Sequence, residues 1–340
     1  PPSLGSSSSV AEPPSSSPFQ EALASAGEAG TQPATSYHPG FFGDLLGGIT
    51  VQNLGVIQKP YITPQPILSV NVAQASAIKV AESDSPRPID RVYYFYNFYG
   101  NIDIEIDPTL PLPRLQLHRH VIGFEKTLWA GRASVGMRVP FLGFAGAPIY
   151  DTRFVGDLSV LTKLMLFENP ETRSLFSIGF AVAPPTGSSP AFLRPGPDSP
   201  LIWDRSPRNY PTYLQPWAGY IYNVTPRWYF HGFHSVLIST IRQEPMFLAN
   251  DVGAGWWLYR NPEAAWIRGI IPTIEIHVNT PVTRQGVPTQ LGEVRMRDSV
   301  NLTGGFYITM PRSLLGTAVS VPLAFGPHTI EAVASYTLRF

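Results

Sequence analysis

From Arg91 to Phe340 the chain divides into short runs in which apolar and polar residues alternate, and this period of two constrains the fold more than any other feature. Twelve runs can be marked, at 90–100, 116–129, 131–142, 154–167, 173–184, 212–223, 227–240, 251–260, 267–279, 299–310, 314–325 and 330–340. Each is long enough to cross a bilayer as a tilted strand, which takes about 9–11 residues. The gaps between runs alternate in length. Short turns fall at Ala130 and Gly131, at 168–172, at 224–226, at 261–263, and at Pro311 and Arg312; longer gaps fall at 101–115, 143–153, 185–211, 241–250 and 280–298. A membrane barrel with turns on one side and loops on the other has this pattern, and a soluble sandwich has no reason to keep it. Gly326, Pro327 and His328 break the rule, a short connection where a loop is expected.

Alternation also assigns faces. In 154–167, Leu158, Val160, Thr162, Leu164 and Leu166 share one face, opposite Asp157, Ser159 and Lys163. In 131–142, Ala133, Val135, Met137 and Val139 oppose Arg132, Ser134, Gly136 and Arg138. In 299–310, Val300, Leu302, Gly304, Phe306 and Ile308 oppose Asn301, Thr303, Gly305, Tyr307 and Thr309. An Arg or Lys facing lipid at the midplane costs about 2–4 kcal/mol, so the polar set must face the lumen. The expected fold is all-β: a closed antiparallel transmembrane barrel of about twelve strands, greasy outside and wet inside. Trp129, Trp228, Trp266 and Tyr222 fall near the ends with short turns, where an aromatic belt would anchor the interface.

Composition agrees. Charged residues are 14% of the chain, against roughly 25% in soluble proteins, too few to cover a water-facing surface. No stretch reaches the roughly 18 consecutive apolar residues of a spanning helix. The net charge of +0 argues against nucleic acid as a partner. With Cys 0 there is no disulfide framework and no thiolate chemistry. The chain starts at Pro1 without a basic-then-apolar leader, which is read as a mature form whose signal peptide has been removed.

Three regions follow. Residues 1–39, rich in Ser, Pro, Ala and Gly, form an arm that cannot fold alone and that is expected to dock in the lumen, on a neighbouring copy or on a periplasmic protein. Residues 40–89 are a pre-barrel segment. Its compact apolar part, 41–51, either enters the barrel from the periplasmic side as a short helix or turn and plugs the lumen, or packs loosely ahead of it. Pro60, Pro64 and Pro66 interrupt regular structure after that. Residues 90–340 are the barrel.

In the last run Ala332, Ala334, Tyr336, Leu338 and Phe340 share a face, opposite Glu331, Val333, Ser335, Thr337 and Arg339. This resembles the terminal signal by which bacterial outer-membrane proteins are recognised by the barrel-insertion machinery, with Tyr336, Leu338 and Phe340 as its in-phase residues. The stretch Leu-Phe-Ser-Ile-Gly-Phe-Ala-Val-Ala-Pro-Pro-Thr-Gly at 175–187 is similar to a strand of outer-membrane transporters of the phenol-degradation-associated type. Ser85-Pro-Arg-Pro, Asp90-Arg91, Gly123-Phe-Glu-Lys and Ala133-Ser-Val-Gly-Met-Arg-Val-Pro-Phe resemble uncharacterised barrels of the same sort. The resemblance implies the bacterial outer membrane, contact with its lipids, and passage of apolar or aromatic solutes. It carries no binding or catalytic residue over.

Site chemistry is sparse. His231, His234 and Ser235 raise the question of a membrane hydrolase, but His231 and Ser235 lie about 13 Å apart along a strand and His234 points the other way. His118 and His120 share a face as a strand-borne metal pair would, with Arg119 between and no third ligand at hand; the outer rim is their expected place. No cofactor or metal is expected. The charges expected to line the lumen are Arg91, Arg119, Glu125, Arg132, Arg138, Asp157, Lys163, Glu275 and Arg339. They could leave a narrow pore, partly closed by an inserted segment and weakly charge-selective, or pair across strands and hold the barrel shut. The first functional expectation is passive passage of small solutes. The alternative is an anchor or scaffold whose arm and loops, among them the Pro-rich 185–211, bind partners.

Overall fold

A computed structural model describes residues 39–44, 51–52, 69–70, 79–102, 115–145, 152–187, 211–240, 246–283, 286–289, 292–295, 298–324 and 328–340, all within one compact unit, Pro33–Phe340. The arm up to residue 38, residues 45–50 of the apolar pre-barrel stretch, and Pro190, Pro195, Pro197, Pro200 and Pro207 lie outside the described residues.

Twelve strands build the wall: β1 Arg91–Ile102, β2 Leu115–Leu128, β3 Ala133–Ala145, β4 in two pieces, Thr152–Val155 and Ser159–Glu168, β5 Leu175–Ala183, β6 Tyr213–Asn223, β7 Trp228–Ser239, β8 Phe247–Trp256, β9 Gly269–Pro281, β10 Ser299–Thr309, β11 Ser313–Ala324 and β12 Ile330–Arg339. Each pairs antiparallel with the next, and β12 pairs with β1 from Ile330 opposite Gly100 to Arg339 opposite Arg91. The sheet therefore closes on itself. Closure gives every ladder group a partner and leaves no edge, the condition for crossing lipid with strands. Tyr259–Arg260 adds a short pairing to β9, and two small ladders, Val51–Gln52 with Ser69–Val70 and Gly286–Thr289 with Gly292–Arg295, lie apart from the wall sheet. No helix is present among the described residues.

The strand bounds follow the sequence pattern to within about three residues, apart from β8 and a break in β4. β8 runs over Phe247–Trp256 rather than 251–260, because Phe247, Ala249 and Asp251 carry the buried face upstream into the stretch read as the gap 241–250. β4 is broken at 156–158. Its partner there is Pro140, which has no N–H to give the ladder; Gly156 donates to the Pro140 carbonyl at 2.8 Å, and pairing resumes at Ser159 opposite Arg138.

The two faces differ as the alternation requires. Phe306 is 42% exposed and its neighbour Tyr307 2%. Leu164, Ile274, Ile276, Val319 and Leu338 also point outward, while Asn97, Arg119, Thr303 and Glu331 are buried on the inner face. At the end with the short turns, Trp129, Trp228, Trp266 and Tyr222 are exposed. The turn after β2 carries three consecutive left-handed residues, Trp129, Ala130 and Gly131, closed by the Gly131 N–H to the Leu128 carbonyl at 3.1 Å.

Glycines on the inner wall let tyrosine rings lie flat across the neighbouring strand. Tyr93 stands in register with Gly123 and Tyr229 with Gly255; a Cβ added at either glycine would come within 2.2 Å of the ring.

Candidate functional site

Residues 39–44 and 79–90 run inside the cylinder, since their side chains bond to inward-facing residues of strands on opposite sides of it. Asp84 is the hub of one cluster. It pairs with Arg91 on β1, with Arg138 on β3 at 2.6 Å and with Lys163 on β4 at 2.6 Å. Glu125 on β2 joins two of these cations, at 2.8 Å from Arg91 and 2.9 Å from Lys163. Arg138 also donates to the Tyr93 hydroxyl at 2.8 Å and to the carbonyls of Lys79 and Val80. Three cations on the wall thus meet one carboxylate of the inserted segment, and two of them also meet one of the wall.

Lys79 organises the second cluster, with its ammonium 2.5 Å from both Asp44 and Asp251. Asp44 accepts further bonds from Asn279 and Asn301, each at 2.8 Å, and His277 lies 2.8 Å from Asp251. Asp44, Asp251 and His277 together have the chemistry of a metal-ligand group. The Lys79 ammonium supplies the positive charge between the two carboxylates. A third cluster joins Glu82 of the inserted segment to Arg119 on β2, which also reaches Asn97 at 3.4 Å. Nearer the short turns, Arg87 bonds Glu168 at 2.7 Å and the Arg173 carbonyl at 3.0 Å.

These charges are buried, and buried carboxylates lose hydration that their partners must replace. Burial pushes the Asp44 carboxyl up, but Lys79 and then His277 pull it below its ordinary value, to about 2. Burial likewise opposes ionisation of Asp84, and Lys163, Arg91 and Arg138 bring it down to about 2.

Apolar contacts seat the same segment. Phe41 stacks on His231 with ring centres 3.8 Å apart, and Phe42 stacks on Tyr307 at 4.1 Å. Phe41, Val80 and Ala81 pack with Leu161, Trp217 and Phe233. The inner wall is therefore not uniformly polar, as a wet lumen would require. The inserted segment gives its apolar residues a dry partner.

Of the residues expected to line the lumen, Arg91, Arg119, Glu125, Arg138, Lys163 and Glu275 are buried on the inner face and bonded as described, Glu275 to the main chain of Phe42. Asp157 is half-buried at the break in β4 and accepts the Gly187 N–H at 2.9 Å. Arg339 is half-buried near the turn between β10 and β11 and bonds the Met310 carbonyl at 3.1 Å. Arg132 does not line the lumen. It belongs to the turn before β3 and is exposed, because turn residues leave the pleat that fixes the two faces. Asp44, Lys79, Glu82, Asp84, Asp251, His277 and Glu331 were not among the expected residues. Four charges within Lys79 to Arg87, outside any strand pattern, are the signal that could have drawn attention to the segment.

Tyr336, Leu338 and Phe340 all point outward, and Phe340 stacks near Phe124 at 6.0 Å. His118 and His120 also sit on the outer face, bonded through Nδ1 to the hydroxyls of Tyr96 and Tyr94 at 2.8 Å each. His231 and His234 lie on opposite faces, and the Ser235 hydroxyl accepts a bond from Gln215 at 2.9 Å.

No family model matches this chain, and no curated protein matches it. Among solved structures, an outer membrane channel from Pseudomonas putida F1 is similar over 74% of this chain and 96% of its own, with a TM-score of 0.53 and 12% identity. The KdgM porin aligns over 73% of this chain and 99% of its own, with a TM-score of 0.43 and 7% identity. At such identity the first likeness speaks for the fold alone: a closed twelve-stranded porin-like barrel.

Proposed function

We propose that this chain is an outer-membrane channel for passive passage of small solutes, with residues 39–44 and 79–90 docked in its lumen as a plug. The observation that carries the reading is the inversion of the two faces. A continuous outer wall of Leu, Ile, Val and Phe needs lipid to cover it, and the Arg, Lys, Asp and Glu side chains that stand among aromatics on the inner wall need water or partners. The shape of the outer membrane channel from Pseudomonas putida F1 supports the same class. The lipid contact, delivery by the barrel-insertion machinery and docking of residues 1–39 on another copy or a periplasmic protein belong to this proposal.

One observation favours the second reading, a barrel held shut that serves as an anchor. Ion pairs clamp the inserted segment to β1, β3 and β4 on one side and to β8 on the other, where hydrogen bonds from Asn279 on β9 and Asn301 on β10 to Asp44 add to them. Single-channel recording in planar bilayers separates the two. The channel reading expects conductance that grows when residues 1–88 are removed. A chain silent with and without those residues is an anchor.

A further inference from the structure

The outward wall of β1 and β2 carries a polar row within its apolar band. Tyr94, Tyr96 and Phe98 on β1 stand in register with Ile122, His120 and His118 on β2. Each histidine Nδ1 lies 2.8 Å from a tyrosine hydroxyl, His120 from Tyr94 and His118 from Tyr96. The Tyr96 ring also packs on His120, with centres 4.9 Å apart. The Nε2 of each imidazole bonds nothing among the described residues. The row is open to whatever surrounds the barrel, since His120 is exposed and Tyr94 is 39% exposed.

Its depth makes the row costly. Lys126, exposed and paired with Asp90 at 2.6 Å, marks the level of the short turns. His120 and His118 lie six and eight residues further along β2, about 15 and 20 Å up a tilted strand and so inside an apolar band about 25 Å tall. Ile122 and Phe124, outward and exposed, fill the interval. Hydrocarbon offers an imidazole nitrogen no hydrogen bond, and a polar group placed there is expensive unless something polar meets it.

The chemistry of the His–Tyr pair sets what can meet it. Where the tyrosine O–H donates to Nδ1, Nε2 carries the proton and is a donor; where Nδ1–H donates to the tyrosine oxygen, Nε2 is bare and accepts. One pair thus presents either half of a hydrogen bond, and the row is complementary to itself. A two-fold axis along the membrane normal keeps every residue at its own depth, so that His120 of one copy meets His120 of the other and His118 meets His118. The flanks are low: Ala334 stands opposite Tyr96 on one side and Gly143 opposite His118 on the other, which lets a second wall come close. Half-way round the ring, on β7 and β8, His234 bonds Asn250 at 2.8 Å as a single pair without this doubling.

We propose that the Tyr94–His120 and Tyr96–His118 row is the contact face of a two-fold dimer, in which a second copy of this chain supplies the other half of each Nε2 bond inside the bilayer. Such a dimer needs only that the wall lies in lipid, and it suits a channel and an anchor alike.

The test is association of the full chain. Sedimentation in detergent should give a dimer, and the combined His118→Leu and His120→Leu variant should raise its dissociation constant about ten-fold, the effect of losing two interfacial bonds in a membrane. Leucine suits a lipid-facing position, so this variant should keep the gel mobility of a folded barrel. His234→Leu on the opposite wall should leave the constant unchanged. The chain has Cys 0, so Gln116→Cys at the outer end of the row should cross-link in liposomes with a short bis-maleimide, and Val252→Cys on β8 should not. A monomer at every concentration means that lipid covers the row and overturns the proposal. A dimer that survives the double variant, or equal cross-linking at the two cysteine positions, places the contact elsewhere and overturns it as well.

Discussion

The Glu275 carboxylate on β9 accepts the main-chain N–H of Phe42 at 3.0 Å and that of Gly43 at 3.3 Å, although 233 positions separate Glu275 from Phe42. Gly43 takes a left-handed φ of 84°, which turns the chain so that two successive N–H groups converge on one carboxylate. A wall residue thereby holds the backbone of the inserted segment rather than a side chain. Glu275→Ala removes that acceptor and leaves two buried donors unbonded, at about 1–3 kcal/mol each. The expected result is faster amide exchange at Phe42 and Gly43 with the strands of the wall unchanged. Equal exchange in the variant and the parent would show that stacking on His231 and Tyr307 suffices to hold the segment.

Among the described residues, Asp84 is the one inserted carboxylate that faces Arg91, Arg138 and Lys163 together. Asp84→Asn leaves Arg91 and Lys163 with Glu125 and takes from Arg138 the carboxylate it pairs with. Breaking a buried pair on one side costs about 3–5 kcal/mol. The plug should then undock often enough to raise open-channel current and expose residues 79–90 to protease. The reverse substitution of a cation, Lys163→Met, should be milder, since Asp84 keeps two arginines.

Acid should release the plug through the same carboxylates. Asp44 and Asp84 sit at about 2 when docked, below their ordinary value near 4. A depressed carboxylate stabilises the docked state fully above the undocked value and loses that contribution as pH falls through the docked one. Protease resistance of residues 79–90 should therefore be flat above about pH 4 and fall between pH 4 and 2. Resistance that stays constant down to pH 2 would show that these carboxylates do not govern docking.

Charge on the outer wall tests where that wall lies. Phe306→Arg and Leu164→Arg place a cation among outward apolar residues and should each destabilise folding into bilayers by about 2–4 kcal/mol. Arg132→Leu, in an exposed turn, should change stability little. Equal, small effects at all three positions would mean that water rather than lipid covers the outer face.

The barrel was legible because each strand encodes its own faces. Val300 to Thr309 could be divided into outward and inward sets without any partner, since the pleat alone puts alternate side chains on opposite sides. The inserted segment obeys no such local rule. Asp44 and Lys79 are 35 positions apart, and Asp251, their common neighbour, lies far along the chain. Nothing in the spacing of these residues announces that they meet.

Local pattern was enough to set the number of strands, their order around the ring and the face of the side chains within them, though not of a turn residue such as Arg132. A two-residue period and the alternation of short and long gaps are local properties, written into every run. Tertiary structure alone decided what fills the cylinder. Whether Arg91, Arg138 and Lys163 would face water or a carboxylate depended on where Asp84 came to rest, and that is fixed by packing within the closed ring, over distances no local pattern spans.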